Sequence, residues 1–111
     1  MKAQFIEIPL TKNEDKQRFE LTYEGHIAFI DYKETSSTIA LIHTEAPAAL
    51  SGTGAAAALV EKTLKFIKEA GKTVSPYCPY VYAFILKNPE WKSLVSPRFP
   101  KYDELMNDAK A

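Results

Sequence analysis

The chain has 111 residues, 46% of them hydrophobic, with 14 Lys and Arg against 14 Asp and Glu. That length is enough for a single domain, residues 1–111 with a core over about 17–95, that folds without metals or disulfides. The balanced charge argues against a general nucleic-acid binder, which carries a basic excess. One cysteine excludes an internal disulfide and a CxxC zinc pair, so no metal site is expected, and it suits a reducing cytoplasm. The first seven residues hold no long apolar run of the kind a signal peptide needs, and no stretch approaches the roughly 18 apolar residues of a membrane span. A cytoplasmic protein with no nucleic-acid or membrane partner is expected.

Residues 5–8 have the composition of a short strand ended by Pro9, and residues 11–16 that of a polar loop. Phe19, Leu21 and Tyr23 alternate with Glu20, Thr22 and Glu24, the period of a half-buried strand. Glu24-Gly25 signals a turn, and residues 26–33 form a second strand that pairs with the first as a hairpin. Residues 38–44, Thr-Ile-Ala-Leu-Ile-His-Thr, are β-rich and nearly all apolar, which fits a central strand. Ala56, Leu59, Val60, Thr63, Leu64, Ile67 and Ala70 line one face of a helix over residues 54–70, with Gly71 as its C-terminal cap. Residues 72–75 return as a strand parallel to the previous one, completing a βαβ unit. Pro79 opens a second helix to residue 86. Asn88-Pro89 interrupts it, residues 89–95 form another helical turn, and the polar tail from Lys101 is a loose helix. The fold class is α+β: a mixed sheet of antiparallel N-terminal strands, then a βαβ crossover and a C-terminal helix.

The stretch Ser51-Gly52-Thr53-Gly54-Ala55-Ala56 opens the strongest helix. The first N–H groups of a helix lack internal partners, and with the positive end of its dipole they attract phosphate. Glycine and alanine let such a ligand approach the main chain. A plain glycine-rich turn fits the loop equally well. A Walker A loop needs Lys-Ser or Lys-Thr after its second glycine, and alanines stand there instead. Gly52, Gly54 and Ala57 match G-x-G-x-x-A, but that fingerprint belongs after the first strand of a long parallel sheet, and antiparallel strands precede it here.

The chain resembles the GCN5-related N-acetyltransferase (GNAT) superfamily, most closely its small single-domain type-2 members. The likeness is carried by Arg18-Phe19-Glu20-Leu21, Glu24-Gly25-His26-Ile27-Ala28-Phe29-Ile30-Asp31-Tyr32, Ile42-His43-Thr44-Glu45-Ala46-Pro47, the glycine loop with the preceding Leu50, and Pro76-Tyr77-Cys78-Pro79-Tyr80-Val81. The His-Thr-Glu-x-Pro segment with the later Cys-Pro is far more specific than the loop alone. The resemblance implies a GNAT-type sheet and an acetyl-coenzyme A-dependent transfer of acetyl to an unidentified amine. It implies that backbone groups of Gly52, Thr53, Gly54, Ala55 and Ala56 hold the pyrophosphate, and that Thr44, Glu45 and Ala46 pair with the pantetheine arm. The alternative is a non-catalytic acyl-coenzyme A-binding regulatory module. Superfamily members often carry Arg or Gln three residues before the first glycine and basic residues beside the glycines. Ala49, Ser51 and Thr53 stand in those places, so weaker or more salt-sensitive cofactor binding is expected.

Amine acetylation needs a base for the ammonium. His43 and Glu45, two apart on a strand, share a face, and either can serve. Cys78, near the start of a helix, is a candidate proton donor to the leaving thiolate or a transient acetyl acceptor. In the resembled superfamily a tyrosine of this last helix often protonates the thiolate, and Tyr80 and Tyr82 are the nearest in position. Each of these residues also has a purely structural reading. Phe84, Trp91, Phe99 and Tyr102 read as core and cover, and Lys62, Lys65 and Lys68 as a solvated helix face. A monomer or a weak homodimer through an exposed edge such as residues 5–8 is expected.

Overall fold

A computed structural model describes residues 1–108, so the last three residues of the expected domain and tail lie outside the described region. Five strands form one sheet in the order β1-β2-β3-β4-β5. They are β1 Thr11–Asn13, β2 Arg18–Tyr23, β3 His26–Glu34, β4 Thr38–Glu45 and β5 Thr73–Pro76. The first four pair antiparallel and β5 joins β4 in parallel. The helices are α1 Ala55–Glu69, α2 Pro79–Lys87 and α3 Tyr102–Met106, with a 3₁₀ segment at Pro89–Leu94. This is the α+β mixed sheet and βαβ crossover expected from the sequence.

Alternation decides which face the helices cover. Phe19, Leu21, Ala28, Ile30, Tyr32, Ile39, Leu41 and Val74 all turn to one side and are buried. α1 lies across β2 and β3, α2 against β4 and β5, and the two helices touch. Phe66 of α1 packs its ring 5.4 Å from Phe19. α1 buries Ala55, Ala58, Leu59, Val60, Thr63, Leu64 and Ile67. Ala56 and Ala70, expected on that face, are half-buried and exposed. Ala56 faces a cavity described below, and Ala70 is the C-terminal cap. The opposite sheet face carries Arg18, Glu20, Phe29, Asp31, His43 and Glu45, all half-buried or exposed.

Two expectations fail near the N-terminus. Residues 5–8 are not a strand: Ala3–Phe5 is a 3₁₀ turn, continued by an Ile8 N–H donation to the Phe5 carbonyl at 3.1 Å. The run is too short to show a period, and burying the Phe5 ring against Tyr23, 4.7 Å between centroids, decides its course. It therefore offers no strand edge for a dimer. Residues 11–13, expected in a loop, instead form β1. This polar three-residue strand blunts the sheet edge with charge. The other edge is covered where Val95 bridges Val74 in parallel and the Ser96 N–H donates to the Val74 carbonyl at 2.8 Å.

Glu34, at the end of β3, receives Lys12 of β1 at 2.7 Å and also Lys72, just before β5. Lys12 first, then Lys72, holds the Glu34 carboxyl below the usual carboxylate range. A lowered native pKa stabilises the fold above the unfolded value and loses that contribution as pH falls through the native one. Glu34→Gln should therefore lower stability by roughly 0.5–1 kcal/mol at pH 7, with the difference from wild type starting to shrink near the unfolded glutamate value of about 4.3 and lost once the pH is below the lowered native one. Urea unfolding across pH 3–7 measures this, and a difference that persists undiminished at pH 3 would rule the clamp out.

Candidate functional site

The β4–β5 ladder is short. It runs from Thr38↔Thr73 to Leu41↔Pro76 and stops, while β4 continues to Glu45. A β-bulge accompanies the stop. On β3 the partners are Phe29↔Glu45, Ile30↔Thr44 and Asp31↔His43, then Tyr32↔Leu41, so Ile42 is an extra residue in β4. One extra residue reverses the alternation. Thr44 joins Leu41 on the helix-covered face, while His43 and Glu45 take the open face.

Beyond the bulge the chain turns at Pro47 into the glycine loop. The Ala48–Leu50 3₁₀ turn is closed by Leu50 and Ser51 N–H groups on the carbonyls of Pro47 and Ala48, at 2.9 and 3.0 Å. Thr53 organises the rest. Its N–H and hydroxyl both donate to the Leu50 carbonyl, at 3.1 and 2.6 Å, and its Oγ1 accepts the Ala55 N–H at 3.2 Å. Gly52 at φ +77° and Gly54 at φ +92° adopt the left-handed backbone that makes this path possible. The N–H groups of Gly52, Gly54, Ala56 and Ala57 find no acceptor among the described residues.

Unpaired donors at the positive end of a 15-residue helix suit an anion. They border a cavity of about 420 Å³, walled by residues 46–48, 50–52 and 54–57 and by Tyr80. No residue from 46 to 57 carries a charged side chain, and α1 has no acid in its first turn to repel an anion. Of the expected loop contacts, Gly52, Gly54 and Ala56 offer free N–H groups. Those of Thr53 and Ala55 are used within the loop, and Ala57 offers a further free N–H. At the strand end, the Ala46 main chain has no partner among the described residues. Thr44 and Glu45 pair on their β3 side with Ile30 and Phe29.

Cys78 sits at the N-cap of α2, and its N–H donates to the Leu41 carbonyl at 2.8 Å. Cys78 is 3% exposed and its thiol lies 3.2 Å from the Thr44 hydroxyl, so it joins the diverging strands from the helix side. His43 Nε2 lies 3.3 Å from Glu45 Oε1, with the two side chains 57% and 62% exposed on the open face. The structure brings Cys78 to Thr44 and His43 to Glu45, on opposite faces of β4.

The two tyrosines separate as well. Tyr82 donates its hydroxyl to Glu104 at 2.8 Å, and burial followed by that carboxylate raises its pKa to about 12. It lines a different cavity, with Phe99 and Lys101. Tyr80 faces the glycine-loop cavity, and partial burial, then the nearby Cys78, raises its pKa above the ordinary tyrosine value. Sequence reasoning could not choose between two tyrosines two positions apart. The count of orphan N–H groups in a helix's first turn would have pointed to Ala57.

The family model for GCN5-related N-acetyl-transferases matches residues 18–94, a span that contains the hairpin, β4, the glycine loop, α1, β5 and α2. No curated protein matches the chain.

Left-handed backbone costs a residue with a Cβ about 1–2 kcal/mol. Gly52→Ala should lower stability by about that amount through strain alone, since its added Cβ meets open space. Gly54→Ala should cost at least as much, because its Cβ also comes within 3.1 Å of the Lys2 side chain. Urea midpoints read both, and wild-type midpoints would show that the loop relaxes to another path.

Proposed function

The chain belongs to the GCN5-related N-acetyl-transferase family, and on that premise we propose that it is an acetyl-coenzyme A-dependent N-acetyltransferase that passes acetyl directly to an amine. The observation that carries this reading is the group of unpaired N–H donors at Gly52, Gly54, Ala56 and Ala57, beside a parallel strand pair that ends early. Four unpaired donors on one cavity wall, without side-chain charge, fit a pyrophosphate. The free main chain of Ala46, with the strand end at Thr44 and Glu45, fits an extended pantetheine arm laid along β4.

Acetyl-coenzyme A supplies a thioester carbonyl, and this chain's residues position and protonate around it. A backbone N–H where β4 leaves β5 polarises the carbonyl oxygen as charge develops there. His43 or Glu45 takes the proton that the acceptor ammonium must lose before its nitrogen attacks. As the C–S bond breaks, the thiolate needs a proton. Tyr80, a phenol on the cavity wall, donates it and is reprotonated as the acetylated nitrogen sheds its remaining extra proton. Direct transfer is preferred to a route through Cys78, because that residue is buried, with its thiol against the Thr44 hydroxyl. Cys78 then acts in placing the start of α2 and the strand end.

The second reading, a non-catalytic acyl-coenzyme A-binding module, is favoured by the high exposure of His43 and Glu45, which leaves the base open to solvent. A thiol-release assay with acetyl-coenzyme A and pooled small and peptide amines separates the two. The enzyme reading expects turnover with at least one amine and thermal stabilisation by coenzyme A. Stabilisation without thiol release supports the binding module, and no stabilisation defeats both. In the active case Tyr80→Phe should lower kcat by about 100-fold with coenzyme A affinity within twofold of wild type. An unchanged kcat would remove Tyr80 from the chemistry.

A further inference from the structure

The neutral loop has a cation beside it that comes from far away in sequence. The Lys2 side chain lies across Gly54, with Cδ, Cε and Nζ at 3.1, 3.2 and 3.5 Å from where a Cβ on that residue would stand. A glycine there leaves that space open, where a Cβ would press the lysine aside. The placement is anchored: the Lys2 carbonyl accepts the Phe5 N–H at 3.1 Å, and the Phe5 ring is fully buried against Tyr23. The Lys62 ammonium adds a donation to the Ile6 carbonyl at 3.3 Å. The Lys2 ammonium has no carboxylate or carbonyl partner among the described residues. Lys2 shares a cavity wall with Gly54, Ala57 and Glu61. Glu61 is already engaged by Lys65 at 3.5 Å and the Met1 amino group at 3.6 Å. Gly54 and Ala57, two of the four free donors, line this cavity and the glycine-loop cavity alike.

We propose that Lys2 is a cofactor-binding residue, its ammonium pairing with the pyrophosphate that the Gly54 and Ala57 N–H groups hold, in place of the basic side chains the loop lacks. The inference rests on the coenzyme A reading of the loop. It adds a group outside the segment that the family model matches, residues 18–94. The helix lysines are not equivalent to it: Lys62 is taken up by the Ile6 carbonyl and Lys65 by Glu61. A flexible, solvated ammonium contributes less than a buried one, so the expected effect is modest and sensitive to salt.

Isothermal titration of wild type, Lys2→Ala and Lys2→Arg with coenzyme A and with 3′-dephospho-coenzyme A tests this. Lys2→Ala should bind both ligands about three- to tenfold more weakly at low ionic strength. Lys2→Arg should stay within about twofold of wild type, and the gap should narrow as salt rises. Unchanged melting temperatures of the unliganded variants show that folding is not the cause. Wild-type affinity of Lys2→Ala for both ligands overturns the proposal while leaving the loop reading intact. A loss seen with coenzyme A but absent with the dephospho form overturns the pyrophosphate assignment, because the contact then lies at the ribose phosphate. If wild type itself binds neither ligand, the reading of the loop fails and the role of Lys2 with it.

Discussion

A main-chain N–H or C=O that loses its ladder partner must find another, and this constraint acts where β4 outruns β5. The parallel pair ends at Leu41↔Pro76 for reasons present in the chain. The Cys78 N–H turns back onto the Leu41 carbonyl, and Pro79, with no N–H to offer a ladder, opens α2. Ile42, inserted opposite the β3 register, bends β4 at the same level. The result is a strand supported on one side by β3 and open on the other over its last residues. The cavity, the loop and the placement of Thr44, His43 and Glu45 all follow from this one interruption.

The loop extends the same logic. A helix start buried without partners is costly, and a charged side chain is one way to offset it. Here the Thr53 hydroxyl and the Leu50 carbonyl satisfy what the turn itself needs and leave the donors at the cavity unpaired. Thr53 is therefore a positioning residue of the loop. Its N–H and hydroxyl are engaged within the loop. Small side chains at residues 55–57 then keep the helix end accessible.

What was legible in the sequence is what repeats or is punctuated. The alternation around Phe19 and Leu21, the Glu24-Gly25 turn, the α1 stripe and the Pro79 helix start each carry a local physical cause, and each stands close to its expected place. The segment from His43 to Pro47 drew attention through its resemblance to a family pattern, not through periodicity or punctuation. Phe5 was misread because a four-residue apolar run looks alike whether it pairs in a sheet or plugs a core. β1 was missed because an edge strand needs polar residues and so resembles a loop. The bulge at Ile42 left no mark, since an apolar residue is equally at home on a buried strand face. Lys2 could not be found at all: its proximity to Gly54 arises from the burial of Phe5, a contact across the whole fold.

The bulge also explains why two pairs of candidate groups belong to different parts of the proposed reaction. In an unbroken strand Thr44 would stand on the face opposite Leu41, and His43 and Glu45 would turn toward α2. With Ile42 inserted, the Thr44 hydroxyl and Cys78 thiol meet beneath the helices, beside the wall that Tyr80 completes, and the imidazole and carboxylate face outward next to Phe29 and Asp31. In the proposed reaction, the covered side would take the thioester and its leaving sulfur at the strand end, and the open side would admit the ammonium to the same point. Nothing as large as a helix encloses His43 and Glu45, whose side chains are more than half exposed. On the proposed reading, selection of the acceptor depends on how an amine presents itself to the open sheet face, more than on a pocket that surrounds it.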